Sequence, residues 1–198
     1  MGKIITAKTA GFCFGVDNAV KLAVKTMQEN PSNTRTYSEL IHNRQVSERL
    51  AQDGVLSIQT MEQLEKDDHV VIRAHGIGEA VYELLKGKPV FVHDATCPYV
   101  KRIHKLVREK HRQGFKIIIA GDKNHPEVIG INGWCDNEAF IVSEPEEVTE
   151  LPVTGENACV VAQTTMKPEK YDEIYNFIKK KFANAIKFDT ICSATEQR

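Results

Sequence analysis

Three of the five cysteines in this chain share a setting that suits metal binding. Cys13 lies in Ala10-Gly11-Phe12-Cys13-Phe14-Gly15-Val16, Cys97 in His93-Asp94-Ala95-Thr96-Cys97-Pro98, and Cys192 in Phe188-Asp189-Thr190-Ile191-Cys192-Ser193. Each follows a strand-like stretch and precedes an apparent helix start, and Pro98 suits a first helical position. Three thiolates without a nearby fourth fit two kinds of site. One is zinc with an open or histidine-filled fourth position. The other is a four-iron cluster with one iron lacking a protein thiolate, free to act as a Lewis acid. Buried apolar thiols account for the same pattern without any metal. That plainer reading suits Cys135, beside Trp134, and Cys159, inside an apolar run.

Histidines and threonines gather at comparable places. His42 follows Tyr37-Ser38-Glu39-Leu40-Ile41, His75 follows Val70-Val71-Ile72-Arg73-Ala74, and His125 follows the Ile117–Gly121 stretch. Thr164 and Thr165 follow Cys159-Val160-Val161-Ala162-Gln163. One histidine at a strand end is most often a local hydrogen-bond partner. Three together, next to helix N-termini, form an anion pocket. Glu127, two residues after His125, reads either as a first-turn glutamate favoured by the helix dipole or as a proton donor beside a metal. His104 and His111 fall in a charged amphipathic helix and are expected to be solvated. His69 lacks such a setting, and His93 suits either burial or the site.

The elements that must position these groups alternate along the chain. Strand candidates are Lys3–Thr6, His69–Arg73, Val90–His93, Lys116–Ala120, Phe140–Val142 and Ala158–Ala162. Val16–Met27 has apolar residues at helical spacing, as do Tyr171, Ile174, Tyr175, Ile178 and Phe182. Such alternation implies an α/β fold of parallel sheets covered by helices on both faces. The three cysteines are 84 and 95 residues apart, which implies α/β units in rough threefold arrangement. In such sheets ligands bind at the carboxyl ends of strands, where all these turns lie.

Bulk properties narrow the classes. A formal net charge of −1 gives no reason to expect nucleic acid or an anionic membrane as partner. No apolar run approaches the roughly 18–20 residues that span a bilayer. The Met1–Thr6 start is too short and polar for a signal peptide, so a cytoplasmic location is expected. In that reducing compartment five cysteines do not form disulfides.

Taken in order, Ala10–Val16, Ile41-His42-Asn43, Arg73-Ala74-His75-Gly76, Asp94-Ala95-Thr96-Cys97-Pro98, Gly121-Asp122-Lys123-Asn124-His125-Pro126-Glu127, Gln163-Thr164-Thr165 and Thr190-Ile191-Cys192 resemble the LytB/IspH family of 4-hydroxy-3-methylbut-2-enyl diphosphate reductases. The resemblance runs through the chain from Cys13 to Arg198. It implies reductive removal of a hydroxyl from an allylic diphosphate, giving isopentenyl and dimethylallyl diphosphates, the last step of the non-mevalonate isoprenoid pathway. It implies that Cys13, Cys97 and Cys192 ligate a [4Fe-4S] cluster and that His42, His75 and His125 line the diphosphate pocket. Glu127 would be the proton donor and Thr164 would relay or orient. Ferredoxin or flavodoxin would deliver electrons singly.

In that family a third α/β unit follows the last cysteine and carries a Ser-Ser-Asn-type segment and a later serine. Here the sequence stops six residues past Cys192. The expected organisation is therefore a strand in residues 1–13 belonging with the third unit, a first unit over 14–97, a second over 98–191, and only the start of the third in 192–198. Two readings compete with a reductase: a non-catalytic iron–sulfur redox sensor, which needs neither Glu127 nor a histidine pocket, and a three-cysteine zinc protein.

Overall fold

Apolar residues dominate the strands of both sheets because both faces of each sheet are covered. In β3 (His69–Ile72), Val70 and Ile72 point to one face and Val71 to the other. In β5 (Lys116–Ala120), Ile118 and Ala120 oppose Ile117 and Ile119 in the same alternation. The computed structural model describes residues 5, 7, 10–152 and 157–194. Of the expected strand Lys3–Thr6 only Ile5 is among them; the rest lies outside.

The first sheet contains β1 (Thr34–Tyr37), β2 (Leu56–Ile58), β3 and β4 (Phe91–Asp94), all parallel, in the order β2-β1-β3-β4. The second contains β5, β6 (Phe140–Val142), β7 (Asn157–Ala162) and β8 (Asn184–Lys187), also parallel, in the order β6-β5-β7-β8. The two units thus repeat one topology. In each, the order reverses between the first and third strands, which opens a crevice at their carboxyl ends. The short β1 and β2 were not anticipated as strand ranges. Thr34 and Thr36 carry no apolar signal, yet both are buried, and β2 is an edge strand.

Helix α1 (Phe14–Glu29) lays Ala19 and Ala23 on one face of the first sheet, joined by Leu50 of α2 (Arg44–Gln52). Leu85 of α3 (Glu79–Lys86) covers the other. Helix α4 (Pro98–Arg112) covers the second sheet with Ile103 and Val107, beside Val128 and Ile131 of α5 (Pro126–Asn132). The opposite face takes Val148 of α6 (Glu147–Glu150) and Tyr171, Ile174 and Ile178 of α7 (Pro168–Lys181). The described helices therefore include none long and apolar enough to cross a membrane.

Where the units meet, two glycines allow close approach. A Cβ on Gly133 would stand 2.6 Å from Gly78 Cα. The Glu79 N–H donates to Gly133 O at 3.2 Å, and Trp134 Nε1 donates to Ile77 O at 2.8 Å. This contact holds the carboxyl edges of the two sheets toward each other.

One expectation is corrected here. His104 is 5% exposed rather than solvated, because its ring turns inward onto Gly76 and stacks on Trp134 with centroids 5.2 Å apart. Burial pushes its pKa down to about 4. His111 is partly exposed and pairs with Glu138 at 3.1 Å. His69 and His93 share a hydrogen bond of 2.9 Å along β3 and β4.

Candidate active site

The repeated topology puts functional side chains at equivalent strand ends. After the first strand of each unit come His42 and His125, and after the third come His75 and Thr164. After the fourth come Cys97 and Cys192. Cys13 caps the N-terminus of α1, as Cys97 caps α4, where Pro98 takes the first helical position.

Backbone hydrogen bonds tie the cysteines to the neighbouring turns. The Cys97 N–H donates to Ala74 O at 2.9 Å, and the Cys192 N–H donates to Thr164 O at 2.8 Å. Thr190, two residues before Cys192, clamps this end to β7: its Oγ1 accepts from Ala162 N at 2.8 Å and donates to Ala162 O at 2.9 Å. Residue types gave no reason to single out Thr190, although it opens the Thr190-Ile191-Cys192 motif.

Cys13, Cys97 and Cys192 line one cavity of about 380 Å³ together with His75, Glu127 and Thr164. Gly15 is part of its wall, and a Cβ there would meet Cys97 Sγ at 2.6 Å. Burial pushes the Cys97 thiol up. The N–H groups of Tyr99 and Val100 at the start of α4 oppose that shift, while Cys192 and Cys13 add to it. Among the described residues no three His, Cys, Asp or Glu side chains converge closely enough to hold one metal ion. Cys135 and Cys159 lie elsewhere, in the core against α4 and α5. Burial pushes their thiols to about 11 and about 12, as for inert packing residues.

The three imidazoles meet across the unit boundary. Ring centroids are 4.1 Å apart for His42 and His75, 5.0 Å for His42 and His125, and 5.7 Å for His75 and His125. His125 Nδ1 accepts the Glu127 N–H at 3.1 Å, which leaves Nε2 to carry the proton in the neutral ring. Burial, with His42, His125 and Arg73 nearby, pushes His75 down to about 3. Burial and His42 also lower His125. At neutral pH both are uncharged N–H donors. Among the described residues His75 Nδ1 is buried without a partner.

Glu127 is 3% exposed. Its Oε1 accepts the Thr164 N–H at 2.6 Å, and its Oε2 accepts the Thr164 hydroxyl at 2.7 Å. Burial raises its pKa, and these two bonds only partly offset the rise. The site therefore joins a thiol-lined cavity, a buried carboxyl that holds its proton more tightly than usual, and neutral donors for an anion.

A family model described as LytB protein matches residues 4–198. The chain belongs to the LytB family. A LytB relative from Caldanaerobacter subterraneus subsp. tengcongensis, named 4-hydroxy-3-methylbut-2-enyl diphosphate reductase, is 44% identical over 99% of this chain and 69% of its own length. One of the same name from Clostridioides difficile is 41% identical over 97% of this chain and 69% of its own length. A solved (E)-4-hydroxy-3-methyl-but-2-enyl diphosphate reductase, described as the terminal enzyme of the non-mevalonate pathway, superposes with a TM-score of 0.85 at 40% identity, over 98% of this chain and 70% of its own. The E-1-hydroxy-2-methyl-but-2-enyl-4-diphosphate reductase from Plasmodium falciparum gives 0.89 at 28% identity, over 96% and 60%. The α/β architecture expected from the alternating pattern is thus the architecture of LytB-family reductases.

Proposed function

We propose that this chain carries the catalytic centre of a reductase that removes the hydroxyl of 4-hydroxy-3-methylbut-2-enyl diphosphate to give isopentenyl and dimethylallyl diphosphates. The observation that carries the reading is the cavity bordered by Cys13, Cys97, Cys192, Glu127, Thr164 and His75, in a chain of the LytB family. We assign residues 14–97 and 98–191 as its two units, with Cys97 closing the first and Cys192 directly following the second.

The donor set fits a [4Fe-4S] cluster. Three thiols border a cavity of about 380 Å³, and Gly15 keeps the space beside Cys97 Sγ clear. Three thiols on one cavity are the donor set of a multi-iron cluster with one iron free of protein thiolate, whereas a structural zinc site takes four protein ligands. Cys13, Cys97 and Cys192 would hold the cluster, which when bound supplies electrons and an iron free of protein thiolate. The helix N-termini behind Cys13 and Cys97 favour the thiolate form such binding requires.

The remaining steps belong to the chain itself. His42, His75 and His125 donate N–H groups to the diphosphate. Glu127, whose pKa burial raises, delivers a proton to the departing hydroxyl oxygen so that it leaves as water. Thr164 holds both carboxyl oxygens and aims the acid. Burial of the Glu127 carboxyl keeps bulk water from competing for that proton. Two electrons come one at a time from a small carrier of the ferredoxin or flavodoxin type, in a cytoplasmic setting. A second proton adds to the allylic carbon, so that two electrons and two protons replace the hydroxyl by hydrogen and release water.

Anaerobic purification, an absorption spectrum and turnover with the allylic diphosphate and an artificial one-electron donor test the reading. A brown protein is expected, with release of both products when the chain is tested at the full length of its LytB relatives, of which it spans 69%. A colourless zinc protein would refute the cluster, and a brown protein without turnover would leave a redox sensor.

A further inference from the structure

Arg73 directly follows β3, two residues before His75. Its side chain folds back: Nε donates to Gly76 O at 2.9 Å, and Nη2 lies 3.5 Å from Pro126 O in the second unit. Pro126 is the residue between His125 and Glu127, so the guanidinium stands behind the site and spans both units. Among the described residues no carboxylate pairs with it, whereas Arg35, Arg44, Arg49 and Arg108 each have an acidic partner.

A partly buried cation without a counter-ion is costly. Burial lowers the pKa of Arg73, and the neighbouring Tyr37 opposes that. The guanidinium nonetheless stays charged at any physiological pH. His75 and His125 beside it are donors without charge, and the Arg73 charge helps keep them neutral. Neutral donors recognise phosphate oxygens but do little to balance several negative charges.

We propose that Arg73 supplies the fixed positive charge of the histidine pocket and sets its preference for a multiply charged phosphate group over a singly charged one. This rests on the anion role given above to His42, His75 and His125. The ligand is the missing counter-ion: its arrival offsets the cost of holding Arg73 out of water. Arg73 acts as a positioning and charge-setting residue, with no part in proton delivery.

The test uses inorganic pyrophosphate and inorganic phosphate, measured by calorimetry on the cluster-loaded protein. Arg73→Met should weaken pyrophosphate by about 10- to 100-fold, the order expected for losing one nearby charge opposite a multiply charged anion in a partly buried site, and phosphate by less. Arg73→Lys keeps the charge but loses the fork to Gly76 and Pro126, and should retain most of the affinity. Pyrophosphate gains a proton of its own between pH 8 and pH 6, so the two proteins are compared at each pH. Relative to wild type, binding by the Met variant should strengthen as pH falls, because the imidazoles must then supply the charge. The other titratable groups around them are Asp122, Glu127 and Tyr37, and these remain in both proteins. In the ligand-free protein, NMR titration should show His75 and His125 gaining protons at higher pH in the Met variant. If that variant does not fold, the Lys variant decides: retained affinity supports the role and lost affinity overturns it. Equal losses in both variants would reduce Arg73 to a structural brace. Unchanged affinity in the Met variant overturns the inference and leaves the histidine pocket standing. Absence of pyrophosphate binding to the wild type overturns both.

Discussion

The carboxyl of Glu127 and the residue Thr164 form a closed pair across the second sheet's crevice: backbone N–H to Oε1 at 2.6 Å, hydroxyl to Oε2 at 2.7 Å. Both bonds favour the ionised acid, yet burial outweighs them. The pair therefore fixes the carboxyl's direction without removing its proton-donating capacity.

Glu127→Gln preserves this geometry and removes the acid. Turnover should fall by about 10²- to 10⁴-fold, while pyrophosphate affinity stays near wild type. Steady-state kinetics and calorimetry on one preparation check this, and near-normal turnover would mean another proton source. In the wild type, activity should fall as pH rises through the elevated Glu127 pKa, because only the protonated form is productive. Thr164→Val deletes a bond that stabilises the carboxylate, so the pH of that fall should move upward.

Among the cysteines, Cys13→Ser, Cys97→Ser and Cys192→Ser should each lose most bound iron. Cys135→Ser and Cys159→Ser should retain it and cost on the order of 1 kcal/mol in stability. Iron analysis and thermal melting on the five variants separate the two groups. Iron loss in the Cys159 variant would overturn the assignment.

Gly15→Ala gives a sharper version of that experiment. The added methyl would stand 2.6 Å from Cys97 Sγ, so the thiol must move. Alanine is also the better helix former by about 1 kcal/mol. Iron content should drop while the apo protein melts at the same temperature or slightly higher. Unchanged iron would show that Cys97 can adopt another rotamer and still serve.

His104 should make stability pH-dependent. Its folded pKa, about 4, lies below the ordinary 6.5. The folded state thus binds fewer protons than the unfolded one in that window. Its contribution is complete above pH 6.5 and is lost as pH falls toward 4, by roughly 3 kcal/mol. Urea unfolding at several pH values should show the slope, and His104→Phe, which keeps the ring stack on Trp134, should flatten it.

The sequence by itself determined the chemistry and its order along the chain. Cys13 and Cys97 at helix starts, Cys192 beyond a strand end, the histidines and Glu127 were legible because the Pro, Gly and apolar-strand signals around them are local. The long buried strands β5 and β7 were legible for the same reason. Tertiary structure alone decided what depends on neighbours distant in sequence. His104 looked solvated because its helix is charged, and it is buried because Gly76 and Trp134 offer a flat slot. Thr190 looked ordinary until β7 stood beside it. Arg73 was part of a motif, but its missing counter-ion appears only once both units surround it. The convergence of three thiols on one cavity likewise follows from two sheets of identical strand order docked through Gly78 and Gly133, a long-range packing that no local spacing encodes.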